Sequence, residues 1–219
     1  MKTFRLAALS VAVATLMSTT AIAGPVPLTN AGFEAPIAAP YVYTPTGAGI
    51  GWTFSGGAGV SRNGTAWGGT AYEGTQFAFL QVGMSADPFG GGGSWMSQAF
   101  SLATAGTVDL DFQMALRAGY RTGQQVAVYL DGNMIGSSFA ATSTSWTAVS
   151  VALGALGAGS HTLALAGLGD FATFGDTSAF IDAVALRTTA ITVPEPATGA
   201  LLLGALGIAG FALRRGRKG

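Results

Sequence analysis

Residues 107–115 read TVDLDFQMA, and this stretch decides the fold class. Its apolar members are Val108, Leu110, Phe112 and Met114, and the polar members that alternate with them are Thr107, Asp109, Asp111 and Gln113. A period of two places these sets on opposite faces of an extended chain. The stretch therefore predicts a β-strand with one face on a hydrophobic core and the other in solvent.

A second alternating run, Gln125–Leu130, ends in a turn signal. Asp131-Gly132-Asn133 supplies residues that tolerate positive φ, so the chain can reverse into Met134-Ile135. These residues predict a β-hairpin.

Similar short runs recur through the middle of the chain, with Gly-rich turns between them. They predict strands at Gly51–Phe54, Gln76–Val82, Trp95–Leu102, Ser145–Val151, His161–Ala166 and Ala179–Leu186. Loops are predicted at Ala35–Ile50, running extended along a sheet edge, and at Ser85–Ser94. About nine closely spaced strands, with no helical pattern between them, predict an all-β fold: a two-sheet jelly-roll β-sandwich.

The N-terminus has the layout of a secretory signal peptide. Two basic residues precede an apolar run over 6–17, which is predicted to be a signal helix. Ala21 and Ala23 form a small-x-small cleavage signature before Gly24, so residues 1–23 are predicted to be removed. The alternative is an uncleaved first membrane anchor.

The C-terminus carries three features in order. Pro194, Glu195 and Pro196 come first, the uncharged apolar run 197–213 follows, and the basic end 214–219 begins with Arg214 and Arg215. As a helix the run measures about 25 Å, close to a hydrocarbon core of about 30 Å, and its positive end stays cytoplasmic. Residues 188–219 are therefore predicted to be a linker followed by a single transmembrane helix.

Between these segments, residues 24–187 are predicted to form one domain with its own core. From Gly24 to Pro196 the chain has ten acidic residues, four arginines and no lysine, a formal charge of −6. Nucleic acids and anionic membrane surfaces are bound through Lys and Arg, so an acidic domain excludes them as principal ligands. The chain has no cysteine and hence no disulfide bonds.

Residue types also exclude most catalytic sites. The chain has one histidine, His161, and lacks the nucleophile-elbow and phosphate-loop motifs, so zinc sites and hydrolase triads are excluded. His161 comes at a turn that enters a strand, which indicates a turn or packing residue. Two carboxylates can hydrolyse a glycoside, but Asp109 and Asp111 are more simply a solvated pair about 7 Å apart on one strand.

Glu34 and Asp182 are acidic residues in apolar sequence. A period of two places Asp182 on the same face as Phe180, Val184 and Leu186, which is predicted to be the core face. A buried ionised carboxylate is costly unless it is paired or metal-bound. One interpretation is therefore a structural Ca²⁺, which takes carboxylate and backbone oxygens. In the other, each carboxylate caps a turn by accepting backbone N–H groups.

Three motifs resemble, in their order, the galactose-binding-like jelly rolls, a group that includes many carbohydrate-binding modules. They are Asn-x-Gly-Phe-Glu at 30–34, Gly51-Trp52, and Ile-Asp-x-Val-x-Leu at 181–186. The resemblance spans roughly Leu28 to Leu186 and implies the same fold. It also implies that Glu34 and Asp182 help to hold a structural calcium ion.

The tail resembles the PEP-CTERM sorting signal of Gram-negative bacteria, because Pro-Glu-Pro, an apolar helix and an Arg-rich end occur in sequence. The resemblance implies that exosortase, a membrane protease, recognises residues 194–196 and removes the helix. The protein would cross the inner membrane, be anchored there transiently, and end at the cell surface or in the extracellular matrix. Such proteins accompany exopolysaccharide production.

Aromatic residues of the domain are candidates for stacking against sugar rings. We predict Trp67, Trp52 and Tyr72 as ligand-binding residues, with Asn63 as a polar partner; further candidates are Trp95, Trp146 and Gln81. Trp67 is predicted to be the most exposed, since nothing in the pattern around it demands burial. The competing interpretation is that these rings are core residues.

Taken together, these features predict an exported, surface-sorted, non-enzymatic protein that binds or organises extracellular polysaccharide. One alternative is a self-associating structural matrix or adhesion protein without a sugar site. Another is a carboxylate-based glycan hydrolase.

Overall fold

The computed structural model describes residues 24–81, 94–168 and 175–190. These residues contain thirteen strands and no helix. In chain order the strands are β1 (Gly24–Val26), β2 (Tyr41–Tyr43), β3 (Thr53–Ser55), β4 (Ala58–Arg62), β5 (Gln76–Gln81), β6 (Trp95–Leu102), β7 (Gly106–Leu116), β8 (Gln125–Leu130), β9 (Asn133–Met134), β10 (Phe139–Ala140), β11 (Thr147–Leu156), β12 (Gly159–Leu168) and β13 (Ser178–Ala190).

The strands form two antiparallel sheets. The seven-stranded sheet has the order β11-β7-β13-β5-β4-β2, with β1 paired to β13. The six-stranded sheet has the order β10-β8-β12-β6-β3, with β9 paired to β8. The predicted all-β sandwich is confirmed.

Four strands, β1, β2, β4 and β10, are absent from the sequence prediction of about nine. Three of them have only two or three residues, too few to show an alternation. The fourth, β4, is buried at four consecutive positions, so its sequence does not alternate either. The predicted hairpin after β8 is present, with β9 paired to β8.

The main hydrophobic core lies between the two sheets. In β7 the four apolar residues of the alternating run are all buried there, while the polar residues between them face away from it. Val126 and Val128 of β8, with Leu163 and Leu165 of β12, supply the opposite wall. The alternation in residues 107–115 therefore predicted the face of this strand correctly.

A second apolar cluster lies on the outer face of the seven-stranded sheet. It consists of Trp67, Phe77, Phe79, Ala115 and Phe180. The connection between β4 and β5, residues 63–75, lies over this face and contributes Trp67; we call it the covering loop. Both sheets and both clusters belong to a compact unit that spans residues 22–191.

Strand β13 changes face directly after Asp182. Phe180 packs in the outer cluster, whereas Val184 and Leu186 pack in the main core. The register against β7 shifts at this point and Ala183 has φ 50°, so the strand contains a β-bulge. Phe180 and Asp182 precede the shift and share a face, as predicted, but it is the outer face and not the core face. The prediction that Val184 and Leu186 share this face is wrong, because a strict period of two assumes an unbroken ladder.

The predicted domain boundary at residue 187 also differs from the structure, in which β13 runs to Ala190. Ala35–Ile50, predicted as a loop at a sheet edge, contains the edge strand β2. The predicted signal peptide (1–23), the sorting motif and the transmembrane helix (197–213) lie outside the described residues. No helix in the described ranges is long and apolar enough to cross a membrane.

Candidate functional site

The carboxylate of Asp182 holds the middle of the covering loop. Its Oδ2 accepts hydrogen bonds from the backbone N–H groups of Tyr72 (2.8 Å) and Glu73 (3.2 Å), and its Oδ1 accepts one from Ala183 (2.7 Å). Asp182 is 0% exposed. Burial raises the pKa of Asp182 to about 7, even though the three N–H donors favour the ionised form.

The carboxylate of Glu34 holds the end of the same loop. Its Oε1 accepts the backbone N–H groups of Thr75 (2.8 Å) and Gln76 (2.9 Å), and its Oε2 accepts the Thr75 hydroxyl (2.9 Å). Gly74 lies so close that a Cβ there would be 2.3 Å from Oε1, and its φ of +65° also favours glycine. Both carboxylates therefore cap this segment, which is the second of the two interpretations.

A tight turn brings Glu34 to this position. The Asn30 side chain donates to the carbonyls of Ala35 (2.6 Å) and Ile50 (3.1 Å) and accepts the Ala35 N–H (2.9 Å). Asn30 and Phe33 both have positive φ, and the Phe33 N–H donates to the Asn30 carbonyl. Asn tolerates this conformation because its short side chain bonds to nearby backbone groups.

Three further side chains bind the backbone of the covering loop. Asn63 accepts the Ala71 N–H (2.6 Å), Trp146 Nε1 donates to the Thr70 carbonyl (2.8 Å), and Arg117 Nη2 donates to the Ala66 carbonyl (3.2 Å). The loop is therefore fixed along its length by side chains from four other parts of the domain. These are the connection between β7 and β8, the connection between β10 and β11, strand β13, and the N-terminal turn that carries Glu34.

The prediction that Trp67 is exposed is wrong: the side chain is 3% exposed. Its ring stacks on Phe79 with centroids 3.8 Å apart, and the Arg117 guanidinium lies 4.2 Å from its centroid. Arg117 also lies 3.6 Å from the Tyr120 ring centroid. Trp67 is an anchor of the covering loop, a role that strand periodicity cannot predict because the residue is not in a strand.

The other predicted ligand-binding residues divide into two groups. Trp52 is 4% exposed, packs against Phe33 in the main core, and donates its indole N–H to the Asn30 carbonyl (3.1 Å). Asn63 and Tyr72 are exposed, Tyr72 by 52%. Of the four residues predicted to bind a ligand (Trp52, Asn63, Trp67 and Tyr72), Asn63 and Tyr72 are the two that are exposed.

A depression of about 360 Å³ opens beside Tyr72, between the covering loop and the end of β7. Trp146 and Phe180 line it together with Ala115, and the hydroxyl residues Thr70 and Thr144 are exposed in its wall. Trp146 is half-buried, and the Tyr72 ring stands edge-on to it at 6.3 Å. Trp146 is one of several aromatic residues that the sequence offers as ligand-binding candidates. The alternation of apolar and polar residues around it does not distinguish it from the others.

The lining of the depression is suited to binding. Among its described residues, the polar side chains are threonine hydroxyls and the Trp146 indole, and none is an acid or a base. Aromatic rings provide flat apolar surface, and the hydroxyls and loop backbone provide hydrogen-bonding groups.

His161 lies at a separate site, where it joins two turns. Its Nδ1 is 2.8 Å from Asp131 Oδ2 and its Nε2 is 3.1 Å from the Gly157 carbonyl, while Asp131 Oδ1 accepts the Thr162 N–H (2.7 Å). The hydrogen bond to Asp131 raises the pKa of His161. Partial burial raises the pKa of Asp131, but the bonds from His161 and Thr162 outweigh it and lower the pKa overall. This is the turn residue that the sequence indicates.

Two further observations concern the acidic residues. Asp111 forms an ion pair with Arg187 (3.1 Å) and accepts the Ser150 hydroxyl (2.5 Å), so it is a surface residue with ordinary partners. Within the described ranges, no group of three His, Cys, Asp or Glu residues could hold a metal ion. A calcium ion at Glu34 and Asp182 would therefore need backbone, amide or hydroxyl oxygens for its remaining ligands.

The fold is similar to solved structures of Stig cyclases and of carbohydrate-binding modules. The Stig cyclase FisC from Fischerella sp. TAU has 14% identity and a TM-score of 0.52, over 78% of this chain and 100% of that one. The CBM22-1–CBM22-2 tandem of Xyn10C from Paenibacillus barcinonensis has 15% identity and a TM-score of 0.50, over 83% of this chain and 50% of that one. TmCBM61, solved with β-1,4-galactotriose, has 15% identity and a TM-score of 0.48, over 77% and 98% of the two chains.

The central domain is therefore a jelly-roll β-sandwich of the kind found in carbohydrate-binding modules and related proteins, as predicted. The tail is identified by sequence: residues 192–218 match the family described as the PEP-CTERM protein-sorting motif. No curated protein matches the chain. At identities this low, the structural likeness establishes the fold alone.

Proposed function

We propose that this protein is exported, sorted to the cell surface, and binds or organises extracellular polysaccharide without catalysis. The observation that carries the proposal is the depression beside the covering loop, where the Trp146 ring, the exposed Tyr72 and two threonine hydroxyls come together. Sugar rings present apolar faces and hydroxyl groups, and this surface offers both kinds of contact.

The rigidity of the covering loop supports the proposal. Binding a sugar chain is weakened by every side chain and loop that must be ordered on contact. Here the loop wall is already fixed by Asp182, Glu34 and Asn63. A depression of about 360 Å³ also lies within the range of about 300–1,000 Å³ for small-molecule sites.

The charge of the domain favours a neutral glycan over a polyanion. Residues 24–196 carry a formal charge of −6, and the lining of the depression has no basic side chain among the described residues. A uronic-acid-rich polymer would be repelled by this field, most strongly at low ionic strength.

The tail supports the route to the surface. A PEP-CTERM motif at 192–218 fits recognition of Pro194-Glu195-Pro196 by exosortase while residues 197–213 hold the chain in the inner membrane. Prolines on both sides of Glu195 keep the segment extended, which suits a protease cleft.

The test uses the 22–191 unit on a panel of insoluble and gelled polysaccharides. Trp146→Ala and Tyr72→Ala should each lower retention on the bound glycan at least tenfold. Trp95→Ala is the matched control, because Trp95 is a half-buried tryptophan on the six-stranded sheet. Equal losses in the control, or no retention by the wild type on any glycan, would overturn the proposal. Release of reducing ends would favour the hydrolase instead.

We also propose that Glu34 and Asp182 take a structural Ca²⁺. The support is that Asp182 is fully buried, and the ion pairs among the described residues include no cationic partner for it. Calcium should then raise the melting temperature at pH 7 and EDTA should lower it, because an ion that binds only the folded state stabilises it. Asp182→Asn should abolish the response. An unchanged melting temperature in EDTA would leave backbone capping as the whole role of both residues.

A further inference from the structure

One edge of the seven-stranded sheet differs from the other sheet edges in the described residues. Strand β11 forms this edge and has ten residues, whereas β2, β3, β9 and β10 at the other edges have two or three. It reads TAVSVALGAL, without a charge or a proline. On the side away from β7 it pairs with no described strand.

A long uncharged edge is a template for pairing with another strand. Every second residue of an edge strand points its N–H and C=O away from the sheet. Proteins usually protect such edges by keeping them short or by placing Lys or Pro in them. The short edges of this domain follow that rule, and β11 does not. Its bulge between Ala152 and Gly154 interrupts only the second half, so residues 147–152 stay in regular register with β7.

We propose that β11 pairs antiparallel with β11 of a second copy of this chain. A two-fold axis at Ser150 sets Ala148 opposite Ala152 of the copy and Val149 opposite Val151. The first pair lies on the outer face and is small and exposed, and the second continues the buried face. A strand that matches itself in this way suits a symmetric dimer, in which one patch must complement itself. The pairing does not rest on sugar binding.

The outer face of this edge has no charge that would oppose the pairing. The exposed side chains of residues 147–152 are Thr147, Ala148, Ser150 and Ala152, so two copies bring only small neutral groups together. Like charges directly opposite would destabilise such a pair. On the neighbouring strand β7, Asp109 lies opposite Ala152 and Asp111 lies opposite Ser150, and Asp111 is paired with Arg187 of β13. These charged groups are one or two strands in from the edge, so none of them lies on the strand that pairs.

The test exploits the absence of cysteine from the chain. Residues directly opposite in an antiparallel pair lie close enough for a disulfide bond. In the full chain oxidised in envelope fractions, Ser150→Cys should form a homodimer. Ala148→Cys mixed with Ala152→Cys should give a heterodimer, while each alone gives little. Thr53→Cys on β3 and Met134→Cys on β9 are controls at short edges and should stay monomeric.

A second variant separates pairing from folding. Ala148→Lys combined with Ala152→Lys places like charges opposite each other in the dimer but changes only exposed positions. The wild-type 22–191 unit should have the mass of a dimer by light scattering, and this variant the mass of a monomer with an unchanged melting temperature. Crosslinking between Ala148→Cys and Ser150→Cys would support the pairing in a register centred on Val149. A monomeric wild type, or equal crosslinking at the control positions, would overturn the proposal.

Discussion

The main core and the covering loop are both well packed, but different forces hold them. In the main core the backbone groups are paired in ladders, and apolar side chains pack without directional bonds. The covering loop has few backbone–backbone bonds, and several of its N–H groups donate to Asp182, Glu34 and Asn63. The main core therefore depends on the apolar volume that it buries, whereas the covering loop depends on hydrogen bonds to a few side chains.

This difference has consequences for damage and for function. A core side chain contacts both sheets, so its loss lowers the stability of the whole domain. A side chain that binds the covering loop holds one wall of the depression, so its loss should open that wall first. The following substitutions test this distinction.

The largest loss of stability is expected in the main core. Phe112→Ala removes a fully enclosed ring from β7 and should lower the free energy of unfolding by about 4 kcal/mol. Urea unfolding of the 22–191 unit, followed by circular dichroism and by fluorescence, should show one shifted transition. A loss below about 1 kcal/mol would mean that the core repacks around the cavity.

The next largest effect is expected at Asp182. Asp182→Ala leaves the N–H groups of Tyr72 and Glu73 without their acceptor and should cost about 3 kcal/mol. Unlike Phe112→Ala, it should speed amide exchange in residues 70–75 more than in β7. Amide hydrogen exchange measured by NMR tests this difference. An equal increase in exchange rate in residues 70–75 and in β7 would show that the covering loop and the core open as one unit.

Asp182 also predicts a pH dependence in the presence of EDTA. Its folded pKa of about 7 lies above the unfolded value of about 3.9, so the folded state binds more protons between these values. Stability should therefore fall as pH rises from about 4 to 7. Asp182→Asn should flatten this slope, and a slope that survives the substitution must come from another group.

A smaller effect is expected at Glu34. Glu34→Ala removes three hydrogen bonds, but the carboxylate is exposed and water can replace it, so the cost should be about 1 kcal/mol. Amide exchange should increase at Thr75 and Gln76 and stay unchanged at Tyr72. If Glu34→Ala costs as much as Asp182→Ala, burial is not what distinguishes the two carboxylates.

The same contrast explains which features the sequence could predict. The alternation in residues 107–115 identified the buried face of β7, because a regular ladder converts a period of two into two faces. The prediction failed at Val184 and Leu186, where the bulge after Asp182 moves both residues to the other side. A bulge depends on neighbouring strands, which a local pattern does not contain.

The site was predicted less completely than the fold. Glu34 and Asp182 were identified as unusual because they are acids in apolar sequence, but the 72–76 segment that both hold was not. Trp67 lies outside the strands, and Trp146 falls within the predicted strand Ser145–Val151 but just before the observed start of β11 at Thr147. Periodicity therefore did not show that Trp67 is enclosed and that Trp146 lines the depression. A spacing of more than a hundred residues between Tyr72 and Asp182 leaves no signal in one sequence.

The smallest effect on stability is expected at Asp131, whose carboxylate accepts hydrogen bonds at an exposed position away from the covering loop. Asp131 accepts the Thr162 N–H as Asp182 accepts that of Tyr72, but its partner His161 can ionise. Because the pKa of Asp131 is lowered, its ionised form stabilises the fold at pH values above that folded pKa. Because the pKa of His161 is raised, its protonated form stabilises the fold at pH values below its own folded pKa.

Asp131→Asn should therefore cost less than about 1 kcal/mol, since exposed ion pairs contribute little. The difference from the wild type should be largest between about pH 4 and pH 6.5 and should shrink as pH rises through the folded pKa of His161. Melting temperatures across this range, in low and high salt, provide the measurement. A difference as large as that of Asp182→Ala would show that the contribution of a carboxylate does not depend on its own burial.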